Sequence, residues 1–273
     1  RSVNIGRLEV IEPKGRLMLE IKDLSRWLPQ EAIELYEGQG YNELYPPQAQ
    51  AVERGILEGK NMLLALATAS GKTFLAELAM LKAALQSKRS LYIVPLRALA
   101  AEKFDSFQRI KGLGGSVGIS KGDFDKKDER LGRNQIIIAT SEKADSLMRN
   151  GASWIRDLAV LVVDEIHLLN DVGRGPTLEM TITKLRRSNP GLQIIGLSAT
   201  DANTRDIADW LDAELVSSDW RPIALKEGVI CRGRLVFSDE ERALEAKKDE
   251  KKDESIALVR DTLSQEAQIL IFE

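Results

Sequence analysis

The sequence holds a single cysteine, Cys231, so no intramolecular disulfide can form and no zinc site can be built on cysteine. No apolar run approaches the roughly 18 residues that a membrane-crossing helix needs. The opening stretch RSVNIGRLEV alternates polar with apolar residues and does not read as a secretory leader. Together these absences lead to the expectation of a cytoplasmic protein with no membrane partner. An excess of positive charge is also missing. Lys and Arg number 39 against 42 Asp and Glu, for a net charge of −3. A uniformly basic, phosphate-binding surface is therefore excluded, whereas a local basic groove is not. What remains is an ordinary globular composition, 43% hydrophobic and 30% charged in 273 residues, enough for one large core or two smaller ones.

From Met62 onward, short apolar runs alternate with longer amphipathic stretches. The runs are Met62–Leu66, Leu91–Val94, Ile136–Ala139, Val160–Val163 and Ile194–Leu197. Their length and continuous hydrophobicity predict strands buried on both faces, the mark of a parallel sheet. Between them the pattern predicts helices over Thr73–Leu85, Arg97–Arg109, Glu142–Arg149, Thr177–Arg187 and Thr204–Leu211. Strand alternating with helix implies an α/β fold with a doubly wound parallel sheet, in which ligands sit at the carboxyl ends of the strands. Before the sheet, residues 1–22 predict a β-hairpin extension around Pro13-Lys14-Gly15. Residues 23–58 read as helical with breaks at Pro29 and Tyr45-Pro46-Pro47. Residues 23–228 are expected to form the first domain, 229–254 a linker with a charged run, and 255–273 the truncated start of a second domain ending in the strand-like run Ile269–Phe272.

Two segments carry chemistry. Met62–Leu66 runs into Ala67-Thr68-Ala69-Ser70-Gly71-Lys72-Thr73 and then into an Ala/Leu-rich helix. A small-residue loop between strand and helix wraps a phosphate, with the N–H groups of the loop and helix start facing the anion. Gly71 permits the tight backbone, Lys72 supplies a cation for the outer phosphates, and the Thr73 hydroxyl is suited to Mg²⁺. Leu66 stands where the general phosphate-loop pattern has its first glycine. The second segment, Asp164-Glu165-Ile166-His167, follows the apolar run Val160–Val163 and so lies at the same end of the sheet. There Asp164 would hold Mg²⁺, and Glu165 would polarise the water that attacks a γ-phosphate, which makes Lys72, Asp164 and Glu165 the expected catalytic set. His167 is the sole histidine, placed to couple the acidic pair to its surroundings or else to serve structure alone.

Six segments in this order resemble the conserved motifs of superfamily 2 helicases. Tyr45-Pro-Pro-Gln48 is similar to the Q motif and Ala67–Thr73 to motif I. Val94-Pro-Leu-Arg97-Ala-Leu-Ala100 is similar to motif Ia, and Ala139-Thr140-Ser-Glu-Lys143 to motif Ib. Asp164–His167 is similar to motif II in its DEIH form, and Ser198-Ala199-Thr200 to motif III. Three further stretches closely resemble the archaeal Ski-like DNA repair helicases of the Hel family: Gly40–Gln48, Gly173–Glu179 and Ser218–Pro222.

The resemblance implies a RecA-like ATP-binding domain followed by the beginning of a second one, acting as a monomer on single-stranded or forked DNA in the 3′ to 5′ direction. It implies ATP and Mg²⁺ as cofactors, held by Gln48 on the adenine edge, by Thr68, Ala69, Ser70, Gly71, Lys72 and Thr73 on the phosphates, and by Thr73 and Asp164 on the metal. Arg97 and Thr140 are implied DNA-phosphate contacts; Lys143 and Arg174 are either further contacts or plain surface charges. His167, Ser198 and Thr200 are implied to couple the nucleotide to the DNA groove. An RNA helicase of the same group shares most of these motifs, and a non-hydrolysing nucleotide-binding module would share the fold. Nothing after Thr200 resembles the motif that carries the arginine finger. The chain alone is therefore expected to bind ATP–Mg²⁺ but to unwind little, with the remainder of the polypeptide as its necessary partner.

Overall fold

The apolar runs form strands because helices cover both of their faces and leave no water for the backbone. In the computed structural model the described residues are 19–120, 129–199, 203–223, 228–231, 234–237, 240–243 and 254–264. They fall into two compact units, Arg1–Pro222 and Ile223–Glu273.

In the first unit the strands are β1 (Met62–Leu66), β2 (Arg89–Val94), β3 (Val117–Ile119), β4 (Ile136–Thr140), β5 (Leu158–Val163), β6 (Gln193–Ser198) and β7 (Glu214–Ser218). They build one seven-stranded sheet in the order β3-β4-β2-β5-β6-β1-β7, with every neighbouring pair parallel. Successive side chains enter opposite cores, as the period of two demands. Leu64, Leu66, Tyr92 and Val94 join one cluster, and Leu63, Leu91 and Ile93 join the other. The helices are α1 (Gln30–Glu37), α2 (Pro46–Glu53), α3 (Lys72–Leu85), α4 (Arg97–Ser106), α5 (Ser141–Arg149), α6 (Gly175–Ser188) and α7 (Thr204–Leu211). The expected doubly wound α/β architecture is thus present. Because all strands run one way, their carboxyl ends share a single rim, and that rim carries the loop after β1 and the acidic pair after β5.

Departures from expectation have local causes. β3 has only three residues, too few for an apolar run, and the edge strand β7 carries none because it buries less: Glu214 and Ser217 are exposed. The helix expected over Arg97–Arg109 tightens after Ser106 into a 3₁₀ segment, Phe107–Leu113. The Tyr45-Pro46-Pro47 break opens α2, with Pro46 at the first helical position, where a missing N–H costs nothing. Of the expected N-terminal hairpin, residues 1–18 lie outside the described residues. Ile21 and Leu24, just beyond them, are fully buried in the first core cluster.

The second unit contains an antiparallel sheet, β8 (Gly228–Cys231), β9 (Arg234–Phe237) and β10 (Glu241–Ala243), and the helix α8 (Glu254–Ser264). Leu235 and Ala257 are its buried apolar residues among those described. The expected strand at Ile269–Phe272 lies outside the described residues.

One polar group is sunk into the first core. Glu77 of α3 has no exposed surface, and Arg109 grips it by two hydrogen bonds, Nε donating to Oε1 at 2.6 Å and Nη2 to Oε2. The Tyr36 hydroxyl donates to the same carboxylate at 3.0 Å. Burial, followed by the charge of Glu77, pushes the Tyr36 hydroxyl well above the ordinary range, so it stays a donor. The Arg109 guanidinium also lies 5.7 Å from the ring centroids of Tyr36 and Tyr41, and Tyr41 stacks on Phe74 beside the phosphate loop. This network ties the 3₁₀ segment after α4 and the entry helix α1 to α3. Arg109→Met leaves Glu77 buried without its cation and is expected to cost about 3 kcal/mol. The figure sits at the low end because the Arg109 side chain is 23% exposed. Urea unfolding of the variant checks it.

Candidate active site at the strand carboxyl rim

Where β1 ends, small residues let the chain turn sharply. Ala69 (φ 65°) and Gly71 (φ 80°) are both left-handed. At Gly71 the glycine is required twice over. The conformation disfavours side chains, and a Cβ would stand 2.1 Å from Gln48 Nε2. The fully buried Ser70 hydroxyl donates to the Ala67 carbonyl at 2.6 Å and staples the turn. Thr68 and Ala69 form its exposed tip. Directly afterwards α3 starts at Lys72, so its first N–H groups open onto the rim, as an anion requires. Lys72 Nζ reaches across the loop to donate to the Leu66 carbonyl at 2.6 Å.

Gln48 closes this loop from outside. Its Oε1 accepts from the Tyr45 N–H at 2.9 Å, while its Nε2 donates to the Ser70 carbonyl at 3.1 Å and leans toward that of Gly71 at 3.5 Å. It is buried, and both ends of its carboxamide are engaged. The structure therefore places Gln48 as a clasp between the start of α2 and the phosphate loop.

Beside the loop, β5 delivers the acidic pair. Asp164 is held on two sides. Its N–H donates to the Ile93 carbonyl, and its Oδ2 accepts from the Tyr92 hydroxyl at 2.8 Å. Burial, then the charge of Asp164, pushes the Tyr92 hydroxyl well up, so Tyr92 remains a donor to this carboxylate. Glu165 takes a left-handed conformation (φ 50°), and its side chain is 43% exposed to the rim. His167 Nδ1 lies 3.4 Å from Glu165 Oε2 and 3.4 Å from Ser198 Oγ, so the lone histidine bridges the acidic pair to the end of β6. Thr200 lies outside the described residues.

Thr73 and Asp164 converge on one point, and a cation already stands there. Lys103 of α4 donates from Nζ to Thr73 Oγ1 at 3.3 Å and lies 4.0 Å from Asp164 Oδ2. A hydroxyl and a carboxylate, both hard oxygen donors around a positive charge, fit Mg²⁺. Sequence reasoning missed Lys103 and Tyr92. The one trace of Tyr92 was a hydroxyl inside an otherwise apolar strand; Lys103 left none.

The expected nucleic-acid contacts separate into two groups. Arg97, at the start of α4, and Arg174, at the start of α6, are exposed. Asp171 Oδ1 accepts from the N–H groups of Arg174 (2.8 Å) and Gly173 (2.9 Å), which fixes the turn before Arg174 and holds the Asp171 carboxyl below its usual range. Arg174 and Asp164 line one small cleft together with Pro95 and Ser141. Thr140 and Lys143, by contrast, are buried, at 8% and 6% exposure. The Thr140 hydroxyl caps α5 by accepting from the Lys143 N–H at 3.4 Å.

A family model for the DEAD/DEAH box helicases matches residues 45–207, more than half of the chain, and that span contains the loop, the acidic pair and their bridge to β6. The chain belongs to the DEAD/DEAH box helicase family. Among curated proteins this DEAD/DEAH box domain is 52% identical over 250 residues to the ATP-dependent DNA helicase Hel308 of Methanocella arvoryzae, covering 90% of this chain and 33% of that one. It is 51% identical over 207 residues to Hel308 of Pyrococcus abyssi (76% and 28% covered) and 46% over 235 residues to that of Thermococcus kodakarensis (86% and 20%). The chain thus spans a third or less of the length of these relatives. Among solved structures, the DUF1998 helicase MrfA bound to DNA matches with a TM-score of 0.61 at 22% identity, over 70% of this chain and 30% of that one. This likeness is one of fold.

Among the described residues, no helix of the DEAD/DEAH box domain is long and apolar enough to cross a membrane.

Proposed function

We propose that this chain is the ATP-binding motor part of an ATP-dependent DNA helicase that moves 3′ to 5′ along single-stranded or forked DNA, with ATP and Mg²⁺ as cofactors. The observation that carries the reading is the meeting of the phosphate loop with Asp164 and Glu165 on one rim, flanked by the exposed Arg97 and Arg174. In this reading Lys72 and the N–H groups at the start of α3 hold the outer phosphates. Thr73 and Asp164 would hold Mg²⁺, which would supply positive charge to the phosphate oxygens. Glu165 takes the proton of the attacking water. The His167 bridge from Glu165 to Ser198 relates the nucleotide state to the rim beyond β6. The longer relatives, which are named as DNA helicases, support DNA over RNA. They also support a motor completed by further chain, which would supply the arginine that stabilises the transferring phosphoryl group. The unit of residues 223–273 would lead into that second RecA-like domain.

Arg97 and Arg174 would grip DNA phosphates, contacts that carry no base information and permit stepping along any sequence. The test is binding of a fluorescent single strand to the chain across a salt series. Arg97→Ala and Arg174→Ala are each expected to weaken binding equally for all sequences and to reduce the slope of log K against log salt by about 0.7. An unchanged slope in both variants removes them from the DNA path. An RNA strand of matched sequence binding more tightly than the DNA assigns the motor to RNA instead.

A further inference from the structure

We propose that Lys103 is a resident counter-ion of the metal position, neutralising Asp164 while no metal–nucleotide is bound and setting the Mg²⁺ concentration at which nucleotide loads. The inference rests on the ATP–Mg²⁺ reading above and names a residue that none of the matched motifs includes. Lys103 follows the motif Ia stretch on α4 and turns inward: its side chain is 15% exposed and that of Asp164 is 12% exposed. Its Nζ lies within 3.3 Å of Thr73 Oγ1 and 4.0 Å of Asp164 Oδ2, the two oxygens expected to bind the metal. The carboxylate sits largely out of water, where an uncompensated charge is costly, and Lys103 is a cation placed to offset it. The Tyr92 hydroxyl holds the other side of the same carboxylate oxygen and keeps Asp164 oriented whichever cation faces it.

An ammonium and a divalent ion cannot share these oxygens, because like charges a few ångströms apart in a half-buried site repel strongly. Loading must therefore move Lys103 aside. That movement lowers the apparent metal affinity and discourages the site from holding a bare metal ion before nucleotide arrives. Lys103 acts through Thr73 and Asp164 and is a positioning residue.

The test is a Mg²⁺ titration of fluorescent ATP-analogue binding to the 273-residue chain, paired with melting of the metal-free, nucleotide-free protein. Lys103→Met is expected to lower the half-saturating Mg²⁺ concentration roughly tenfold, a change of about 1.4 kcal/mol. Lys103→Arg, which keeps the charge, is expected to stay near wild type. Without metal, Lys103→Met is expected to lower the melting temperature by about 3 °C. Adding Asp164→Asn, which removes the charge left unpaired, is expected to restore it. A purely structural lysine would shift melting and leave the Mg²⁺ midpoint in place. An unchanged or raised midpoint in Lys103→Met, in a protein that otherwise binds the analogue, overturns the role of Lys103 alone. A wild-type chain that fails to bind the analogue at any Mg²⁺ concentration overturns the ATP reading and this proposal with it.

Discussion

Lys72→Ala is expected to weaken ATP binding by the chain roughly hundredfold or more, while leaving its fold intact. The magnitude follows from the position of the residue. Lys72 opens α3, and its ammonium already crosses the loop to the Leu66 carbonyl, so it stands over the cradle that the phosphates would fill. Removing one partner of a close, partly desolvated charge pair costs about 2–5 kcal/mol, and each 1.4 kcal/mol is a factor of ten. The fold should survive because Lys72 is not a core residue and alanine is a good helix former near the start of α3. Equilibrium titration with a fluorescent ATP analogue reads the affinity, and circular dichroism melting reads the fold. Near-normal affinity in a folded variant would place the nucleotide elsewhere.

Glu165→Gln separates binding from chemistry. The Glu165 side chain is the exposed carboxylate of the pair, whereas Asp164 is enclosed by Tyr92 and Lys103. Exposure toward the rim suits a base that must reach a water; enclosure suits a group that holds a metal. Glutamine keeps the shape and removes the proton acceptor. The expected result is affinity for the ATP analogue within about threefold of wild type, with hydrolysis slowed by about 10²–10⁴. Hydrolysis is read in single-turnover experiments on a helicase polypeptide of the relatives' length that carries this domain. Retained hydrolysis would remove Glu165 as the base. A large loss of binding would make it a nucleotide ligand instead.

Much of the sheet was legible because parallel strands buried on both faces must be continuously apolar. β1 and α7 occupy the residues that the pattern predicted, Met62–Leu66 and Thr204–Leu211. The edge strands β3 and β7 were not legible: VGI is too short to show a period, and ELVSS mixes exposed polar residues with one buried valine. The phosphate loop and acidic pair were readable since their chemistry is local. Three adjacent residues, Gly71, Lys72 and Thr73, carry the loop's sequence signature, and two adjacent carboxylates follow a strand.

What joins these segments is a matter of tertiary packing, and no local pattern reports it. Lys103 reads as an ordinary charge on an amphipathic helix; only the placement of α4 against β2 and the loop turns it onto Asp164. Gln48 illustrates the same limit. Its motif pointed to an adenine contact and gave no sign of the second engagement, that of its carboxamide with Tyr45 and the Ser70 carbonyl. Likewise Thr140 and Lys143 read as exposed contacts, whereas both are buried, with the Thr140 hydroxyl capping α5.

The most direct test of the account is a crystal structure of the chain with a non-hydrolysable ATP analogue and Mg²⁺. Phosphates are expected in the Ala67–Gly71 loop within reach of Lys72, with the metal between Thr73 and Asp164 and Lys103 withdrawn from both. Phosphates bound away from that loop, or a metal remote from Asp164, would contradict it.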